Sequence, residues 1–116
     1  MTKERKAKGR TGEDMAATAL EEAGYIIVKL NYRYSGGEID IIAQKGESLY
    51  FVEVRAKTTA AFGTPAESIT AAKKAKIKNT AALYLSENPF NGDIHFLFAL
   101  VNLKNKSLTL LEDSFI

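Results

Sequence analysis

Polar and apolar positions alternate through the middle of the chain with the two-residue period of a strand. Over Glu38–Gln44, Ile39, Ile41 and Ala43 fall on one side and Glu38, Asp40 and Ile42 on the other. Over Leu49–Arg55, Tyr50, Val52 and Val54 face one way, and Leu49, Phe51, Glu53 and Arg55 the other. Lys45-Gly46-Glu47-Ser48 separates the two and reads as a hairpin turn. From Gly9 to Ala23 the period is helical instead, with Ala16, Ala19, Leu20 and Ala23 on one stripe. Gly24 stands where a left-handed residue would end that helix. Tyr25–Tyr32, rich in β-branched and aromatic residues, predicts a strand, broken at Ser35-Gly36-Gly37.

Further on, Thr64-Pro65-Ala66-Glu67 carries three marks of a helix start: a capping threonine, a proline at the first helical position and a glutamate that closes a capping box. This helix is expected to run to about Leu85, before Asn88-Pro89 and Asn91-Gly92. Asp93–Leu103 is apolar on both faces, as a buried strand is. A turn at Lys104-Asn105-Lys106 leads to a last strand over Leu108–Glu112. The order α-β-β-β-α-β-β predicts an α/β fold, a mixed central sheet flanked by helices. One domain is expected over residues 9–116, after a flexible basic tail over residues 1–8.

The register of the central hairpin brings chemistry into this pattern. A two-residue loop, Gly46-Glu47, with glycine first as a type II′ turn wants, sets Lys45 opposite Ser48. Asp40 then lies opposite Glu53 and Glu38 opposite Arg55, all on one face. Directly opposite residues have Cβ atoms roughly 4.5–5.5 Å apart, so two carboxylates there repel unless something neutralises them. A divalent cation does so, and magnesium or manganese prefers oxygen ligands. A three-residue loop would destroy the alignment.

Other residues extend the picture. Glu13 shares the helical stripe of Ala16 and Leu20; it could add a third carboxylate above the hairpin, or sit in the first turn stabilised by the helix dipole. Arg55 could grip a phosphate in two places, salt-bridge to Glu38, or do both. His95, the single histidine, has no evident partner and is expected to be structural. Tyr32 and Tyr34 could stack on bases or be ordinary strand-end aromatics. Ser35-Gly36-Gly37 lacks the spacing of a P-loop.

Composition narrows the function classes. The 116 residues contain no cysteine, which removes disulfides, thiolate catalysis and cysteine-based zinc sites. The basic start, MTKERKAKGR, is followed by no signal-peptide core, and the longest apolar run, Phe96–Val101, is far short of a membrane span. A cytoplasmic protein without a membrane partner is expected. The net charge of +2 is unevenly spread. Five basic residues fall within residues 1–10 and four more are Lys73, Lys74, Lys76 and Lys78, leaving seven basic against thirteen acidic residues elsewhere. Taken singly, each patch reads as a solvated tail or helix face. Together, on an acidic body, they suit a polyanion held near carboxylates.

Three blocks, Gly9-x-x-Gly12-Glu13, Gly37-Glu38-Ile39-Asp40-Ile41-Ile42-Ala43 and Phe51-Val52-Glu53-Val54-Arg55, resemble the hallmark blocks of the bacterial YraN family. Phe62-Gly63-x-Pro65, the lysine-bearing helix and the closing Asp113-Ser114-Phe115 also fit, so the resemblance covers nearly the whole chain. That family is similar to the PD-(D/E)XK nucleases, in particular to archaeal Holliday junction resolvases. The resemblance implies a restriction-endonuclease-like α-β-β-β-α-β core, a catalytic acid at Glu13 and metal-binding acids at Asp40 and Glu53. It puts the basic position of the signature at Arg55, where the signature itself has lysine; Lys57, two residues on, could substitute. The family's last core strand often carries an acid where this chain reads His95-Phe96-Leu97-Phe98.

The expectation is a magnesium- or manganese-dependent endonuclease acting on DNA, with branched or flapped DNA suggested by the resolvase resemblance. Glu13, Asp40, Glu53 and Arg55 would form its site. Lys57, Lys73, Lys74, Lys76 and Lys78 would hold nucleic acid, and a homodimer would serve cleavage of both strands. The alternatives are a non-catalytic nucleic-acid-binding module on the same fold and a protein-interaction scaffold.

Overall fold

The computed structural model describes residues 8–34, 36–57 and 70–113. Helix α1 (Lys8–Glu22) ends in a Schellman motif. Gly24, at φ 99°, donates its amide to the Glu21 carbonyl at 3.0 Å, and Tyr25 donates to Leu20 at 2.9 Å. Five strands follow: β1 (Ile26–Tyr34), β2 (Gly37–Lys45), β3 (Ser48–Lys57), β4 (Asp93–Asn102) and β5 (Ser107–Asp113). They form one sheet in the order of the sequence. All neighbours are antiparallel except β3 and β4. A parallel pair needs a crossover, and helix α2 (Ala71–Glu87) lies within it. The fold is α/β with the α-β-β-β-α-β core of the restriction-endonuclease-like class.

The two helices cover opposite faces of the sheet. Ala16 and Leu20 of α1 pack on Ile41, Ala43, Val52, Leu97, Ala99 and Val101. Ile77, Ala81 and Tyr84 of α2 pack on Ile42, Leu49, Phe51 and Phe96. β4 is buried on both sides, which is why its sequence is an apolar run. Each large side chain fully buried here, such as Leu20, Ile41 or Phe51, contributes about 1.5–3 kcal/mol relative to exposure. Among the described residues no helix is long and apolar enough to cross a membrane.

Two details depart from the sequence pattern. A continuous helix from Thr64 is not what forms: Thr70 is extended (φ −77°, ψ 163°) and caps α2, its Oγ1 accepting from the Lys73 amide at 3.1 Å. Thr64–Glu67 lie outside the described residues, as do residues 1–7. The second departure is in β2. Ile41 and Ala43 face α1 as expected, but Ile39 packs with Ile42 under α2. Strict alternation therefore fails at Asp40. Asp40 and Asn31, the latter at φ 53°, both drop out of the β1–β2 register between Leu30↔Ile41 and Tyr32↔Ile39.

Candidate functional site

The β2–β3 hairpin adopts the register set by its two-residue turn. Lys45 pairs with Ser48, and the ladder runs to Ile41↔Val52. Gly46 has φ 61° and Glu47 is not at positive φ, the combination that separates a II′ turn from a I′ turn. Beyond Ile41↔Val52 the two strands part. There the Val54 amide donates not to a strand carbonyl but to Oδ2 of Asp40, at 2.8 Å. Asp40 thus sits in the mouth of a gap between two central strands, one place beyond the last ladder pair.

Acids converge on that gap. One carboxylate oxygen each from Glu13, Glu38 and Asp40 lie within 4.8 Å of one another. Glu13 arrives from α1 because Gly12 lets that helix touch the sheet: a Cβ on Gly12 would come within 2.6 Å of the Ala56 Cβ. Glu13 lies close enough to Asp40 to pull its carboxyl down slightly, against the burial that raises it. Glu38 forms an ion pair with Arg33 of β1 at 3.5 Å.

Glu53 is the fourth acid and is only 9% exposed. It lies near enough to Asp40 for the two charges to repel, but it is not one of the three acids grouped above. Its Oε2 meets the Lys73 ammonium of α2 at 3.3 Å. Burial first, and Asp40 second, push its carboxyl up to about 7, overcoming the opposing pull of Lys73 and Arg55. The Asp40 carboxyl is also raised, chiefly by burial, against the hydrogen bond from Val54.

The donor set fits a hard divalent cation. Oxygens shared by one magnesium at about 2.1 Å stand no more than about 4.2 Å apart, so a small closure of Glu13, Glu38 and Asp40 would suffice. Such an ion would also offset the burial, and the lesser mutual repulsion, that raise both carboxyls.

The sequence-derived residues are thus distributed unevenly. Glu13, Asp40 and Glu53 share one locality, and Arg55 acts on Glu53 electrostatically. The Lys57 backbone closes β3, while its side chain lies outside what is described. The four helix lysines do not form one patch. At about 100° per residue, Lys73 falls in line with the sheet-facing stripe, Lys74 and Lys76 lie on opposite sides of it, and Lys78 turns furthest away.

Glu38 and the pairing of Lys73 with Glu53 were missed by sequence reasoning. A signal was present for Lys73: lysines at the start of a helix oppose its dipole, and α2 has no acid in its first turn. His95 also departs from expectation, for it does have a partner. Its Nδ1 lies 2.6 Å from Oε2 of Glu112, and its ring stacks on Tyr50 at 4.8 Å. Register hid this, because Glu112 belongs to the neighbouring strand β5, where it pairs with Leu97, two residues beyond His95.

The fold is that of an α/β protein of the restriction-endonuclease-like class, and three acids gather where two of its strands diverge. The chain belongs to the uncharacterised protein family UPF0102, the YraN family of the sequence motifs, whose profile matches residues 12–113. It is 42% identical over 92 residues to a UPF0102 protein of Moorella thermoacetica, covering 79% of this chain and 77% of that one. A UPF0102 protein of Clostridium perfringens is 40% identical over 120 residues, covering 99% and 98%. One from a Sulfurihydrogenibium species is 43% identical over 108 residues, covering 93% of each.

Proposed function

We propose that this protein is a divalent-metal-dependent nuclease that hydrolyses phosphodiester bonds in DNA. The observation that carries this reading is the convergence of Glu13, Glu38 and Asp40 beside buried Glu53 and its partner Lys73, at a gap in the sheet. Three acids held so closely, with buried Glu53 near them, are costly without a cation.

Glu13, Glu38 and Asp40 would hold the ion. When bound, magnesium or manganese lowers the pKa of water and offsets phosphate charge. The chain's own residues supply the rest. Asp40 is fixed by the Val54 amide, so its carboxylate is oriented before any ligand arrives. Glu53, with a carboxyl near 7, can take up or release a proton at neutral pH, the range in which general acid–base groups work best. Lys73 beside it carries the compact cation that the nuclease signature places on the strand, while Arg55 offers a planar fork to phosphate oxygens. The lysine function is therefore assigned to α2 and the strand position to phosphate binding.

The test is cleavage of labelled linear, flapped and four-way-junction DNA with manganese, magnesium or chelator. Wild type is compared with Asp40→Asn and Glu53→Gln. Metal-dependent cleavage lost in both variants is expected. Salt-sensitive binding without cleavage in any metal would overturn the reading in favour of a non-catalytic binding module. No affinity for nucleic acid at low salt would leave the scaffold.

A further inference from the structure

Beside the carboxylates lies a groove of about 410 Å³, between the closed end of the β1–β2 hairpin and α2. Its walls include Arg33, Tyr34, Glu38, Lys73 and Lys76. We infer that it holds one unpaired nucleotide next to the scissile phosphate, with the base stacked on Tyr34 and the phosphate held by Arg33 and Lys76. This rests on the nuclease reading and narrows its substrate class to DNA that is single-stranded at the cut.

Size and chemistry both point this way. The volume lies at the lower part of the range of about 300–1,000 Å³ for sites that enclose a small molecule. It accepts one flat ring and a phosphate, but not a base pair with two backbones. Aromatic faces set in a basic strip are the usual platform for unpaired bases, because every base has a stacking face. Tyr32 and Tyr34 divide clearly on this point. Tyr32 is 8% exposed and packs edge-on against Tyr84 at 5.2 Å. Tyr34 is 42% exposed and stands in the groove wall.

The groove is also built to a fixed width. A Cβ on Gly37 would lie 2.0 Å from Oγ1 of Thr80, so any side chain there would pry the hairpin off α2. Arg33 is tethered to Glu38 through Nε alone in the pair described, and its side chain is 72% exposed, leaving most of the fork open to a phosphate. Lys73 lines the groove and also reaches Glu53. Groove and acids are therefore contiguous, and a nucleotide in one presents its phosphodiester to the other.

Fluorescence anisotropy in chelator, where no cleavage occurs, tests this with a labelled oligothymidylate and a duplex of equal length. Tyr34→Ala is expected to weaken single-strand binding roughly 5- to 150-fold, and to leave duplex binding within about two-fold. Tyr34→Phe should bind like wild type, since the stacking face remains. Lys76→Gln should reduce the salt slope of single-strand binding by about one. Quenching of 2-aminopurine in a bound single strand should disappear in Tyr34→Ala and persist in Tyr34→Phe. Unchanged single-strand affinity in Tyr34→Ala, or equal loss for both polymers, overturns the inference. Because binding is read without metal, a failure of cleavage does not mimic either result.

Discussion

Asp40 and Val54 are joined across the point where β2 and β3 part, Oδ2 of the acid accepting the valine amide at 2.8 Å. The side chain thereby does the work of the missing strand carbonyl. One oxygen is engaged by the backbone, and the carboxylate is held at the gap with Glu13 and Glu38 around it.

Removing the side chain and removing only its charge should therefore have different consequences. In Asp40→Asn the amide oxygen can still accept from Val54. In Asp40→Ala that buried N–H is orphaned, at a cost of about 1–3 kcal/mol. Urea denaturation in chelator is expected to rank Asp40→Asn above Asp40→Ala by that amount; equal stabilities would show that the hydrogen bond contributes nothing.

Glu53 makes stability depend on pH in an unusual sense for an acid with a lysine partner. Its folded-state carboxyl is raised from 4.5 to about 7, so the folded chain holds a proton that the unfolded chain has lost. Stability from this group is present below about 4.5, declines as pH rises through 7 and stays low above. Glu53→Gln removes the dependence. It should be more stable than wild type by about 1–3 kcal/mol near pH 8 without metal, with the difference closing toward pH 4.5. A variant less stable than wild type at the alkaline end would contradict this.

Cation binding should release protons, because burial raises the carboxyls of Asp40 and Glu53, the latter to about 7. Calorimetric titration with manganese in two buffers of different ionisation enthalpy should give different apparent heats. Affinity is expected to rise between about pH 6 and 8, and saturating metal should raise Tm. Asp40→Asn should abolish that rise. Heats independent of buffer would argue that the acids are already ionised.

Lys73 lowers the Glu53 carboxyl both by its charge and by its hydrogen bond. In Lys73→Met that carboxyl should climb further, moving the acidic limb of the cleavage pH profile upward and reducing the rate at neutral pH by about 10²–10³-fold. Lys73→Arg should keep the limb in place. A fall in Tm with no movement of the limb would mean that the lysine only braces α2.

Much of this architecture is legible in residue pattern. Alternation marks β2 and β3, Gly24 ends α1, and Gly46 fixes the turn from which the Asp40 and Glu53 neighbourhood follows. The failures are equally specific. The twist that carries Ile39 to the α2 side arises from Asp40 leaving the ladder, which periodicity cannot register. Thr70 lacks the following proline and the capping-box glutamate that mark Thr64, yet its extended backbone makes it the cap of α2. Glu38 joins the acids because the strands splay, and Lys73 joins Glu53 because a crossover helix lands there; both are three-dimensional facts.

The Gly46-Glu47 turn has a reach out of proportion to its position. It is exposed and lies six residues from Asp40, about 20 Å along an extended strand. Yet it sets which side chain of β3 stands level with each side chain of β2, as the first notch of a ratchet sets every later one. Glu47 can change identity freely. An added or deleted residue would slip the phase of the whole hairpin and carry every acid on one strand past its counterpart on the other. Variation in length is thus barred from a surface loop that touches no ligand, a constraint of the kind normally reserved for a core.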